Sequence, residues 1–278
     1  MRLKGLNICL SIMVKNLKIR LRQRQTYIFS FGFPLMFTFI FYFIFGIEEI
    51  IPGFTIFTFS ISGMLIYTAS FGTINTAVVF SSEKQNGTLI RLETTPCKKS
   101  AIFIGTLFSE SIFLVIQLII MFIIAYGILG LKWGYNLSEG IFHLDIKLLI
   151  VGFIIIFIFG LSTLGLGIMI SAYAKTVEAG LGIAMLYVMP VLFLSGSMVP
   201  FENPIVYFFP PFWANRLYQQ VVILGHNLWL DPLLANSDNL LRADTTNIPL
   251  WGALMIIVGF LIITLIVGLF LFNRKKSS

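Results

Sequence analysis

Residues Lys147 to Ala172 read KLLIVGFIIIFIFGLSTLGLGIMISA, and no charged side chain follows the leading lysine. Coiled as an α-helix at 1.5 Å per residue, the run reaches roughly 38 Å, enough to cross a hydrocarbon core of about 30 Å. A segment in lipid must satisfy its own backbone hydrogen bonds, so a helix is the form this stretch takes. Comparable runs lie at Tyr27 to Gly46, Phe54 to Phe80, Ala101 to Leu129, Ala179 to Met198 and Ile248 to Phe272. The expectation is an all-α polytopic membrane protein of six spans in one transmembrane domain covering the whole chain, 1–278. Pro34 and Pro190 lie inside the first and fifth runs, and each predicts a kink because it removes one helical hydrogen bond.

Composition points the same way. Of 278 residues, 58% are hydrophobic and 11% charged, where a soluble domain carries about 25% charged residues. The 19 Lys and Arg exceed the 12 acids, but in a membrane protein such a surplus sets topology before it suggests nucleic acid. No basic patch interleaved with aromatics is present to read nucleic acid. Cys9 and Cys97 are read as free thiols, since two cysteines make no disulfide framework and neither clusters with His143 or His226 to hold zinc. Met1 to Gln25 scatters its charges throughout, unlike a cleavable signal segment.

Orientation follows from counting cations between the spans. With the amino terminus inside, the inner segments hold 15 of the 19 basic residues: 7 in 1–25, 4 in 81–100, Lys175, and Arg274, Lys275 and Lys276. The outer segments hold Lys132, Lys147, Arg216 and Arg242. The positive-inside rule therefore predicts a cell-membrane protein with both termini cytoplasmic. At 100° per residue, Lys4, Asn7, Ser11, Lys15, Lys18 and Arg22 form a polar stripe beside an apolar one of Leu3, Leu6, Leu10, Met13, Leu17 and Leu21. Residues 1–25 thus read as an amphipathic helix in the interface, its cations at anionic lipid headgroups. Docking on a soluble partner is the other use of such a helix.

Pro204 to Leu230 is aromatic but interrupted by Pro210, Pro211, Asn215, Arg216, Gln219, Gln220, His226 and Asn227, too polar to span. It is expected to form a re-entrant or surface-lying helical hairpin on the outer side, within an outer hairpin and loop covering 199–247. Tyr207, Trp213, Tyr218 and Trp229 would sit at headgroup depth.

No phosphate-cradling GxxxxGK[ST] loop and no HExxH pair occurs. The chain is not expected to be an enzyme, and no cofactor or metal is implied. The inner segment 81–100 is more specific. It contains Glu83-Lys84-Gln85-Asn86-Gly87-Thr88-Leu89-Ile90-Arg91-Leu92-Glu93-Thr94-Thr95-Pro96, in which Thr88 can cap a short helix that shows Leu89 and Leu92 on one face before Pro96 ends it. A solvated turn is the plain alternative. This segment resembles one in type-2 permeases of ABC transporters, in which an acid, a Gly-Thr-Leu, a Leu and a Thr-Pro precede the third span. The matching positions are Glu83, Gly87-Thr88-Leu89, Leu92 and Thr95-Pro96, with Arg91 between them. A second match lies in Ser195-Gly196, Pro200 and Glu202-Asn203, followed by Pro211-Phe212-Trp213-Ala214. The family often carries an Arg near the end of that aromatic stretch; here Gln220 stands about there and the arginine is Arg216, so that role is not carried over.

The resemblance implies the membrane subunit of an ATP-driven exporter working by alternating access, as a homodimer or a heterodimer with a similar permease. Two copies of a separate ATPase would dock on residues 83–96. A hydrophobic drug, antibiotic or lipid-like substrate is expected, with export of a polysaccharide or lipid-linked glycan as the alternative and a non-transporting scaffold as a third reading. Glu110 is the acid well inside a span, which makes it a candidate for the substrate path together with Gln117, seven residues on along the same face, and Asn75. A carboxyl that pins helix packing is the equal alternative. Thr68, Gly72 and Thr76, and again Thr163, Gly167 and Ser171, put small residues on single helix faces, the pattern of packing seams.

Overall fold

The computed structural model describes residues 10–18, 31–45, 49–51, 54–87, 99–129, 146–194, 204–223 and 249–274. Residues 10–18 form a short helix, α1. There follow α2 (Phe33–Phe45), a two-stranded ribbon of β1 (Glu49–Ile51) and β2 (Phe54–Thr55), α3 (Ile56–Gln85), and α4 (Lys99–Phe122), which runs on as a π-helical turn to Leu129. Then come α5 (Ile146–Tyr173), α6 (Val177–Leu194), a 3-10 turn at Pro204–Phe208, α7 (Pro210–Tyr218) with a π turn to Ile223, and α8 (Leu250–Arg274).

Among the described residues, α3, α4, α5, α6 and α8 are long and apolar enough to cross a membrane. The first expected span, Tyr27 to Gly46, is described only from residue 31 to 45. Its α2 has 13 residues, about 20 Å of helix, and runs antiparallel to α3, as the ring pairs Phe33 with Phe71, Phe37 with Tyr67 and Tyr42 with Phe57 show. Pro34 falls in the first turn of α2 rather than mid-helix, just after a π turn at 31–32. The ribbon that joins α2 to α3 pairs Glu49 with Thr55 and Ile51 with Phe54; alternation over so few residues was too short to signal strands. Pro190 does lie inside α6.

The most polar span is the most enclosed one. α3 carries Ser60, Ser62, Thr68, Ser70, Thr73, Thr76 and Ser81, all buried, whereas α8 shows Met255, Ile262, Ile263, Ile266 and Phe270 to the outside. Without a hydrophobic force between helices in lipid, close packing and hydrogen bonds decide which helix takes the centre, and small hydroxyl residues supply both. The two predicted small-residue seams meet each other. A Cβ on Gly72 would stand 2.8 Å from Thr163 Oγ1, and one on Gly167 would stand 2.5 Å from the Thr73 carbonyl oxygen. Across the same contact, Thr163 Oγ1 donates to the Ala69 carbonyl at 2.8 Å and Thr73 Oγ1 to the Thr163 carbonyl at 3.0 Å. Gly180 brings α6 onto Ser81 of α3, and Gly165 receives Thr264 of α8. The contacts from Ala69 with Thr163 to Ala77 with Gly167 make α3 and α5 run parallel.

α7 does not cross. Its nine residues and the five of its π turn make about 21 Å of helix, lodged at the end of the bundle where α3 and α5 begin: Tyr218 and Val222 close over Gly152. Pro210 opens the helix after Phe209, whose extended φ of −100° ends the preceding turn, so its missing N–H falls among groups that have no helical partner. Trp213 and Tyr218, expected at headgroup depth, are buried in the protein. The reason is that their polar atoms find partners inside: Trp213 Nε1 donates to the Tyr207 carbonyl at 2.8 Å, and the Tyr218 and Tyr126 hydroxyls are 2.7 Å apart. The remainder of the expected hairpin, including Ser195, Gly196, Pro200 and Trp229, lies outside the described residues.

Candidate functional site

Three polar groupings interrupt the apolar bundle. The first lies at the end of α3, just before the segment that carries the family-like motif. Gly87 has φ +66° and donates its N–H to the Lys84 carbonyl at 3.0 Å, while the Asn86 N–H reaches the Ser82 carbonyl at 2.9 Å. A left-handed residue ends a helix in this way, and glycine adopts that conformation without a Cβ clash. The helix therefore extends to Gln85, beyond the Phe80 expected from hydropathy, and carries Glu83, Lys84 and Gln85 on its last turn. Glu83 is buried, and its Oε1 lies 3.1 Å from Lys15 Nζ of α1. Lys84 Nζ donates to the Ser171 carbonyl at the end of α5, and Gln85 Oε1 accepts the Val177 N–H at the start of α6, at 3.0 Å. Thr176 Oγ1 takes the Ala179 N–H at 3.2 Å, completing the cap of α6. Thr88, Leu89, Arg91, Leu92, Thr95 and Pro96 lie outside the described residues.

α1 thus has three faces where two were expected. Leu10 and Val14 are exposed and apolar, Ser11 and Lys18 are exposed and polar, and Ile12 and Asn16 are buried against the bundle. Asn16 Nδ2 donates to Thr106 Oγ1 of α4 at 3.1 Å. Lys15, expected at lipid headgroups, is the partner of Glu83; removing it would leave a buried carboxylate without its cation.

The second grouping runs along α4. Ile104, Phe108, Ile116, Ile119 and Ile123 are exposed, while Thr106, Ser109, Glu110 and Gln117 are buried on the opposite stripe. Glu110 is 2% exposed and so faces protein. Gln117 Nε2 points at the Thr68 carbonyl of α3, 3.5 Å away, and Asn75 is half-buried on α3. Ser70, Thr73 and Thr163 line a narrow crevice together with Phe159, Tyr187, Val191 and Phe260.

The third grouping belongs to α7. Asn215, Gln219 and Gln220 are buried, and Gln219 Nε2 donates to Ser62 Oγ of α3 at 3.0 Å. Arg216 lies over the Phe212 ring at 5.6 Å, a cation-π geometry. Burial first, and then the charge and hydrogen bond of Tyr126, push the Tyr218 phenol well above its ordinary value, so it stays a neutral hydroxyl. Pro211 and Trp213, expected in the outer hairpin, are buried residues of α7. Gln219 with Ser62, and Lys84 with Gln85, went unread because single polar residues at helix ends carry no periodic signal. Among the described residues no group of three or more His, Cys, Asp or Glu could hold a metal.

Four long apolar helices packed around a fifth, hydroxyl-rich central one, among the described residues, define a polytopic membrane protein. The chain belongs to the ABC-2 type transporter family, whose model matches residues 8–224. It is 28% identical over 148 residues to the probable multidrug ABC transporter permease YbhR of Escherichia coli strain K12, and equally to that of strain O157:H7. The match covers 52% of this chain and 36% of those relatives, so the chain spans about a third of their length.

Proposed function

We propose that this chain is the membrane half of an ATP-driven exporter, with six spans, both termini in the cytoplasm and α1 lying in the inner interface. Two copies, or one copy with a similar permease, would enclose the path, and two copies of a separate ATPase would supply the energy. The observation that carries this reading is the convergence of α1, α3, α4 and the α5–α6 turn at Glu83, immediately before residues 88–96. A loop that receives force needs stems that do not yield, and here both stems are fastened to neighbours. Leu89 and Leu92 would seat in a groove of the ATPase, with Gly87 giving a sharp entry to the loop.

The substrate is proposed to be a hydrophobic drug or lipid-like molecule moving outward. What supports this reading is that the relatives named above are called probable multidrug permeases. Glu110 and Gln117 would line or brace the path, and residues 199–247 would fold as the outer cap in which α7 forms the first arm. The test is Leu89→Asp combined with Leu92→Asp, which buries two unpaired charges at the contact at a cost of several kcal/mol. The double variant should insert normally, fail to co-purify its ATPase and lose transport. Retained ATPase binding with full transport would refute the coupling role of this loop.

A further inference from the structure

Successive residues on a helix are about 100° apart, so Glu83, Lys84 and Gln85 fan out over roughly 200° around the end of α3. On an ordinary surface helix most of that arc would face solvent. α3 is central, and each of the three side chains, the exposed Gln85 included, meets a different neighbour: Glu83 meets α1, Lys84 the last turn of α5, and Gln85 the first turn of α6. The second and third contacts are caps supplied from another helix. α5 ends at Tyr173 with carbonyls that have no helical donor, and α6 begins at Val177 with N–H groups that have no helical acceptor. Only residues 174–176 separate the two ends, and Thr176 caps α6 at Ala179 but leaves the Val177 N–H to Gln85. An ammonium at a helix carboxyl end and an oxygen at a helix amino end are also the signs that the two helix dipoles favour.

We propose that Lys84 and Gln85 are positioning residues that tie the α5–α6 turn to the end of α3, so that displacement of segment 88–98 moves α5 and α6 together with α3. The inference rests on the ATPase-coupling reading above and adds the route by which the movement leaves the loop. α4 carries the other stem of the loop, and Asn16 holds it to α1 through Thr106; α1 and the α5–α6 turn are therefore separate outputs of the same input. Lys84 and Gln85 serve the second output and Glu83 the first. Removing Lys84 and Gln85 should cut the turn off while leaving α1 driven.

The experiment is hydrogen exchange, read by mass spectrometry, on the permease assembled with its ATPase in lipid nanodiscs. Peptides covering 10–18 and 173–182 are followed without nucleotide and after trapping with ATP and vanadate. In the parent, both peptides should change their exchange on trapping. In the Lys84→Gln, Gln85→Leu double variant the α1 peptide should still respond and the turn should lose its response, and Lys84→Arg with Gln85→Glu, which keep a cation and an acceptor oxygen, should restore it. Gln85→Leu alone serves if the double variant does not assemble, with the same loss expected at the turn. A turn that responds equally in these variants, or a parent turn that stays silent while α1 responds, overturns the inference. A parent in which neither peptide responds overturns the ATPase-coupling reading and this inference with it.

Discussion

Gly167→Ala should loosen the bundle at its centre. A Cβ there would stand 2.5 Å from the Thr73 carbonyl oxygen, 2.7 Å from Thr76 Cβ and 3.1 Å from the Ala77 nitrogen. Two of these atoms are backbone, so α5 must retreat from α3 by at least 0.5 Å to reach even the 3.0 Å floor of real contacts. A shift of that size takes the Thr73 to Thr163 hydrogen bond from 3.0 Å to the edge of useful geometry, a loss of about 0.6 kcal/mol and up to ~1.7 in a membrane bundle. Overpacking adds about 1–3 kcal/mol, and the better helix propensity of alanine returns about 1. The net destabilisation is about 1–3 kcal/mol, or roughly 2–12 °C in Tm for a chain of this size. The assay is thermal unfolding of purified protein in detergent, with Gly182→Ala and Gly259→Ala as controls, since a Cβ at either site meets nothing within 4 Å. If Gly167→Ala melts no lower than these controls, the α3–α5 seam does not determine stability and the packing argument fails.

Glu110→Gln should fold with an unchanged melting temperature and slow transport; full transport at that position would mark the carboxyl as a packing element. In intact cells, Cys97 should react with an impermeant thiol reagent only after permeabilisation, while a cysteine placed at Asn236 should react from outside; the reverse pattern would invert the proposed orientation. Tyr218→Phe should cost about 1 kcal/mol by removing the 2.7 Å contact with Tyr126. Because the folded phenol titrates well above its ordinary value, that residue's share of stability is complete below about pH 10 and lost as pH rises further. The alkaline fall in Tm should therefore be shallower in Tyr218→Phe, and an identical slope would refute the burial of a neutral phenol.

Hydropathy alone carried the membrane class, because the need to bury every backbone group in lipid leaves a long apolar run such as 147–172 one form to take. The small-residue faces at Thr68, Gly72 and Thr76 and at Thr163, Gly167 and Ser171 were legible for a related reason: regular spacing puts them on one face, and close approach requires small side chains. The burial of Glu110 followed from the cost of a carboxyl in hydrocarbon. Which helix occupies the centre was legible only in part: α3 has a mean hydropathy of 1.3 against 3.1 for α8, which makes it the span least suited to face lipid, but packing alone decides its neighbours. Nor could periodicity place Lys15, Lys84 or Gln85, whose flexible side chains have several possible destinations. Trp213 and Tyr218 read as interfacial residues because their rings are amphipathic; the Tyr207 carbonyl and the Tyr126 hydroxyl, 6 and 92 residues away in sequence, drew them into the core. Single polar contacts between distant elements have no local signature, and only the assembled bundle decides them.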